Sequence, residues 1–220
     1  MGIWTNHQHM LEKDTTGKSR LEFFSDGVFA IAITLLVLVL IETLHSEKDE
    51  TLLKTLQTHW QSFVAFTIGF TTILVCWINH HVAFEYIKRI DTRFMWINGF
   101  LLFVVTLTPF PTAALAEYFE TDGVTAMAMF GFNYFLISIA ADSICTYAYN
   151  HHLIEEEHRA FYSIYKIIYR YAIFYTLIAF LICLFSIVIP IILYAILFVA
   201  FAAPKKMAMT VYKIRLAKKK

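Results

Sequence analysis

The chain has 220 residues, 59% of them apolar, 17% aromatic and only 16% charged. Soluble domains average roughly 45 to 50% apolar and about 25% charged, so a water-soluble globule is excluded and an all-α membrane protein is expected. Seven Gly and four Pro exclude collagen-like and disordered classes, and a formal net charge of +1 gives no sign of nucleic acid as a partner.

Residues 1–20 are polar and lack the continuous apolar core of a secretory signal, while Asn6 stands where myristoylation after Met1-Gly2 needs Ser or Thr. Membrane entry is therefore expected to rely on internal helices. Apolar runs bounded by charge predict six of them, at 21–43, 59–85, 94–117, 124–149, 166–185 and 188–203. Each span takes about 20 residues, so six leave no room for a soluble enzyme domain. Between Ile167 and Ala203 the only charge is Arg170, so the split between the last two rests on Ser186 and Pro190. The division predicted is a cytoplasmic segment 1–20, a six-helix transmembrane domain 21–203 and a basic cytoplasmic tail 204–220. Cys76, Cys145 and Cys183 fall inside apolar runs without any C-x-x-C pair, which reads as reduced buried thiols.

Charge sets the orientation. Sixteen Lys and Arg fall at the N-terminus, in the second and fourth connections and in the tail, against two, Lys48 and Lys54, on the other side. That other side carries Glu42, Glu47, Asp49, Glu50, Glu117, Glu120 and Asp122. Cytoplasmic loops collect Lys and Arg, so both termini are expected in the cytoplasm of a multi-pass plasma-membrane protein. Trp60, Tyr86, Trp96, Tyr118, Tyr149 and the group Tyr162, Tyr165, Tyr169 and Tyr171 read as headgroup anchors, and the lysine tail reads as charge lying on anionic membrane lipids.

The most unusual segment is Arg20 to Leu38, which puts Arg20, Glu22, Ser25 and Asp26 at the start of a long apolar helix. A charge at the centre of a bilayer costs about 2.5 to 3.5 kcal/mol on insertion scales, so these groups either snorkel to water and pair locally or join a buried network with another helix. Trp77, Asn79, His80 and His81, near the cytoplasmic end of the second span, offer the donors such a network needs. At 100° per residue Gly27, Ile31, Thr34, Leu35 and Leu38 share one stripe. Spacing alone leaves open whether that stripe packs against helices or lines a pore.

The run Arg20-x-x-x-Phe24-Ser25-Asp26, leading into Gly-Val-Phe-Ala-Ile-Ala-Ile-Thr-Leu-Leu-Val-Leu, resembles the signature of the transmembrane protein 175 family of potassium channels. Trp77 to His81 and Asn98 to Pro111 are similar to it as well. The resemblance implies a pore lined by the first helices of four repeats, without a Thr-Val-Gly-Tyr-Gly filter. By that likeness Ile31 forms the narrowest apolar ring, with Leu35 and Leu38 as further rings, and Thr34 contributes to potassium selectivity. Arg20, Phe24, Ser25 and Asp26 belong to a network that holds the pore helix, with Trp77, His80, His81 and Asn98 as members and the choice between the two histidines open. Animal members carry two repeats, whereas the motif occurs once here, which implies a homotetramer. No cofactor is implied beyond potassium as the permeant ion. An acid that often follows Leu-Leu-Val-Leu in prokaryotic members is replaced by Val39, with Glu42 three residues on.

Elsewhere, His151-His152-x-x-Glu155-Glu156-Glu157-His158 has ligand-type residues without an established zinc spacing and reads as a solvated turn, with no metal expected. Asp142, in the fourth span, reads as a helix-packing hydrogen bond whose partner is unnamed. Pro109 and Pro111 are expected to bend the third span. No nucleophile elbow, phosphate loop or metalloprotease helix occurs, so no enzyme is expected. The competing functions are a proton-coupled secondary transporter with Asp26, His80 and Asp142 as a relay, and a non-conducting membrane scaffold.

Overall fold

A computed structural model describes the backbone of residues 2–43 and 51–217 and the side chains of 17–42, 51–215 and 217. Glu47, Lys48, Asp49, Glu50 and Lys218 to Lys220, counted above for orientation, lie outside the described residues, as does the Lys13 side chain.

The first helix, α1 (Gly2–Leu35), continues into α2 (Val37–Thr43). The stretch Gly17–Glu42 is long and apolar enough to cross a membrane. Its break at Leu36 contains neither Gly nor Pro. There the ladder tightens to three-residue steps, Leu36 N donating to Ile33 O at 3.2 Å and Val39 N to Leu36 O at 3.1 Å. One turn earlier Thr34 Oγ1 donates to Ile31 O at 2.9 Å, and a hydroxyl bonded back into the ladder is a common cause of helix bending.

After the short α3 (Leu52–Thr58), α4 (Trp60–Glu85) is 26 residues, about 39 Å at 1.5 Å per residue, enough for the hydrocarbon core. Two further helices, α5 (Thr92–Leu107) and α6 (Pro109–Asn150), follow. Pro109 and Pro111 lack the N–H groups that would carry α5 onward, so the helix restarts at Pro109. Laid straight, Thr92–Asn150 would reach about 90 Å. Instead the chain reverses at Asp122, whose backbone leaves the helical region (φ −148°, ψ 47°). The two arms then run antiparallel: Tyr147 Oη donates to Asp91 Oδ2 and Asn133 Nδ2 to Thr108 Oγ1, each at 2.9 Å. The apolar runs 94–117 and 124–149 lie on these two arms.

Helix α7 (Arg159–Cys183) lies along α6, and α8 (Val188–Phe201) returns across it. At 14 residues α8 is about 21 Å long, short of a full span. It meets α9 (Pro204–Ala217) at a 78° bend. Among the described residues the stretches long and apolar enough to cross a membrane are thus Gly17–Glu42, Trp60–Glu85, Thr92–Asn150 with its reversal, and Glu156–Cys183, with the bent α8 and α9 pair as a further candidate.

The core lies where α4, α5, α6 and α7 meet, around Ile73, Phe84, Phe94, Val104, Leu115 and Tyr165. Gly69 is required by close approach, since a Cβ there would lie 2.6 Å from Thr112 Oγ1 and 3.2 Å from Leu36 Cδ2. Small residues of this kind let membrane helices come together. One expectation changes. Tyr162, Tyr165 and Tyr169 are buried inside the bundle, and only Tyr171 of that group is exposed. Their spacing of three and four residues puts them on the packed face of α7.

Candidate functional site

Two stripes of the first helix face opposite ways. Ser25, Phe29, Ala32, Leu36 and Val39 are buried against α4 and α5, at alternating steps of four and three residues. Gly27, Ile31, Thr34, Leu35 and Leu38 are all exposed, Ile31 at 61%, Leu38 at 49% and Leu35 at 45%. The described residues thus leave exposed a continuous apolar stripe on a helix long and apolar enough to cross a membrane. Along it the exposed Thr34 supplies a hydroxyl whose proton is committed to Ile31 O, which leaves its oxygen lone pairs able to accept.

The buried stripe is fixed at its basic end by a polar cluster. Ser25, fully buried, donates from Oγ to Leu21 O at 2.8 Å and accepts from Asn98 Nδ2 at 2.9 Å. Asn98 Oδ1 lies 2.8 Å from His80 Nε2. The Trp77 indole N–H donates to Asp26 Oδ1 at 2.9 Å, a neutral donor serving a half-buried carboxylate. The rings of Phe29 and Phe84 hold His80, at centroid distances of 5.4 and 4.2 Å. Three helices, α1, α4 and α5, are thereby tied at one level.

The structure brings together Ser25, Asp26, Trp77, His80 and Asn98, and leaves three of the candidate residues aside. Arg20 is exposed, and among the described residues no hydrogen bond or ion pair joins it to the cluster. Phe24 is exposed as well. Of the two histidines, His80 is buried in the cluster, whereas His81 is exposed, stacks on Trp77 and faces Glu85 at 3.8 Å.

Sequence reasoning missed two polar ties. Asn79 donates to Phe201 O at 2.9 Å and accepts from Tyr169 Oη at 3.0 Å, which joins α4 to α7 and to the end of α8. Asn133 binds Thr108 across the α5 and α6 arms. The available signal was an amide side chain inside an apolar run, which needs a partner there. The partner of Asp142 is Arg170, whose Nη2 lies 3.0 Å from Oδ2. Among the described residues no hydrogen bond or ion pair joins Asp142 to Asp26 or His80, which are bonded to Trp77 and Asn98 respectively.

At the opposite end, a cavity of about 680 Å³ is lined by Glu42, His59, Phe110, Glu117, Tyr118 and Asp122 among others. On the basic side Glu155, Glu157 and His158 bring ligand-type atoms within 4.8 Å of one another, with His158 Nε2 3.2 Å from Glu157. His151 instead stacks on Tyr147, and His152 meets Arg159.

Residues 20–109, from the Arg20 motif to the α5 and α6 junction, match the family model described as endosomal/lysosomal potassium channel TMEM175. A crystal structure described as a lysosomal potassium-selective channel TMEM175 homolog from Chamaesiphon minutus is 33% identical, with a TM-score of 0.74 over 86% of this chain and 98% of that one. The chain belongs to the TMEM175 family. It is also 50% identical over 108 residues (49% of this chain) to a potassium channel of Chamaesiphon minutus and 40% identical over 121 residues (55%) to one of Streptomyces collinus. The chain spans about half the length of these curated relatives, 52% and 58% respectively. This is a family of channels, not of enzymes.

Proposed function

We propose that the protein is a passive potassium-permeable channel of the plasma membrane, a homotetramer of chains with six membrane helices each, both termini cytoplasmic, around a pore lined by α1 and α2. The observation that carries this is the uncovered stripe. An apolar stripe on a membrane helix, anchored from behind by hydrogen bonds and left without a partner in its own chain, suits a ring of four such helices about an axis. Ile31, Leu35 and Leu38 form successive apolar rings, Ile31 the narrowest. A hydrated ion cannot cross such a constriction with its shell intact, so the rings gate by dewetting. Thr34 offers an oxygen to a partly dehydrated cation just beyond the Ile31 ring and favours potassium. The Asn98, Ser25, Trp77 and Asp26 bonds hold the lining helix in register against α4 and α5. The relatives named as potassium channels support the choice of ion.

Purified protein in liposomes is expected to pass potassium without ATP or a proton gradient. Ile31→Asn is expected to enlarge the flux, and Thr34→Ala to lower discrimination between potassium and sodium. Unchanged flux in Ile31→Asn overturns the constriction, and an unchanged ion ratio in Thr34→Ala removes the role of that hydroxyl. The proton-coupled transporter is not favoured, because Asp26, His80 and Asp142 are separately partnered by Trp77, Asn98 and Arg170.

A further inference from the structure

Helix α9 has three distinct faces. Pro204 and Ala208 are buried and Tyr212 is half-buried, a stripe seated on α7 and α4 where Tyr212 meets the Phe161 ring edge-on at 6.2 Å. Met207, Val211 and Ile214, at steps of four and three, form a second stripe that grows more exposed along the helix, with Val211 and Ile214 open. Lys206, Thr210 and Lys213 form a third, all exposed. From Pro204 to Ala217 there are four basic residues and no acid, and Lys218 to Lys220 follow.

The helix is also turned sharply away from α8. Pro204 supplies no N–H and biases Ala203 away from helical backbone, so α8 ends, and Asn79 takes up the Phe201 carbonyl at that end. The 78° bend then turns α9 away from the α8 axis at the basic end of the bundle, where Lys205 pairs with Glu85 at the end of α4. A helix at the end of a membrane bundle with an apolar stripe beside a lysine stripe has the form of an interfacial helix.

We infer that α9 is a docking surface for anionic phospholipid headgroups, its Met207, Val211 and Ile214 stripe seated at the acyl boundary and Lys206 and Lys213 reaching the headgroup charge. This deepens the reading of the protein as membrane-embedded and rests on that placement, but it does not require conduction. The occupant is argued from charge. With Lys205 paired to Glu85, the exposed Lys206, Lys213 and Arg215, on a helix that carries no acid, suit a surface of negative headgroups, and the adjacent apolar stripe suits the same surface and not free phosphate. Through the Lys205 and Glu85 pair the docked helix bears on α4, which carries Trp77 and His80 of the pore-helix anchor.

The test uses the full chain in nanodiscs of neutral phosphatidylcholine, or of the same lipid with phosphatidylglycerol, read by amide hydrogen exchange over 204–217 at low salt. Exchange in this segment is expected to be several-fold slower in the anionic discs, and salt near 1 M is expected to erase the difference, because the screening length falls to about 3 Å there. The double variant Lys206→Gln, Lys213→Gln changes only exposed side chains and is expected to exchange equally in both discs while the other helices keep their protection. Equal exchange of the unmodified chain in the two discs overturns the inference, as does a difference that survives in the variant. Slowing by inorganic phosphate in neutral discs would assign the lysines to a free anion, and protection already complete in neutral discs would assign the stripe to a second copy of the chain; either overturns it. Since exchange needs no ion flux, a protein that passes no potassium still answers the question.

Discussion

The buried and the exposed stripe of the first helix are made of nearly the same residue types, yet they have opposite surroundings. Phe29, Ala32 and Leu36 are sealed against α4 and α5, while Ile31, Leu35 and Leu38, one or two positions away, are left exposed by the described residues. Hydrophobicity cannot distinguish them, because both sets favour leaving water. The polar residues do. Ser25 lies at the head of the buried stripe and is bonded through Asn98 to His80, which fixes the helix rotation so that the 27-31-34-38 stripe faces away. Rotation of an apolar helix is set here by a few hydrogen bonds.

The contrast is broken most severely from the packed side. Phe29→Ala removes a ring that is 1% exposed and touches His80, and cavity creation of this kind costs about 3 to 5 kcal/mol. A large fall in thermal midpoint of the purified protein checks it. Gly69→Ala attacks the same face by overfilling it, since the new Cβ meets Thr112 and Leu36. The Thr112 hydroxyl is itself held to Thr108 O at 2.8 Å, so the neighbour has little freedom to give way. The expected cost is about 1 to 3 kcal/mol, read by the same melt. Asn98→Ala removes a fully buried amide and strips His80 Nε2 and Ser25 of a partner. Leaving buried polar groups unpaired costs about 1 to 2 kcal/mol, at the lower end in a membrane, where alternative partners are found. It is also expected to disturb flux, because the rotation of the proposed pore helix depends on that bond.

How much of this was readable beforehand follows from the same contrast. The 27-31-34-38 stripe could be located from periodicity, and the resemblance named Trp77 and Asn98 as members of a network with Asp26 without saying which residue bonds which, since mixed chemistry at fixed spacing is informative even inside an apolar run. The reversal at Asp122 was legible as the gap between two runs. What lay beyond reach were contacts between residues far apart in sequence with no motif around them, such as Asp142 with Arg170 and Asn79 with Tyr169 and Phe201. The tyrosines of α7 misled because an aromatic suits both a headgroup and a core, and only the assembled bundle decides which. The choice of His80 over His81 was likewise a matter of 100° of helix rotation, which neighbouring identical residues cannot reveal.

The smallest expected change in stability belongs to the exposed stripe, and it separates the two meanings an uncovered face can have. If Ile31 lines a water-filled axis, Ile31→Asn replaces one solvent-facing side chain by another and the melt shifts by no more than the roughly 0.5 kcal/mol usual for surface positions, while potassium flux rises. If the stripe instead seals a contact between chains, the same substitution puts an amide into an apolar seam, and the assembly loses more than about 1 kcal/mol while flux stays as it was. Measuring the melt and the flux on one preparation distinguishes these outcomes, because lining and sealing predict opposite combinations. Leu35→Asn, one turn along the same stripe, repeats the comparison, and a stripe that lines the axis must give the same combination at both positions.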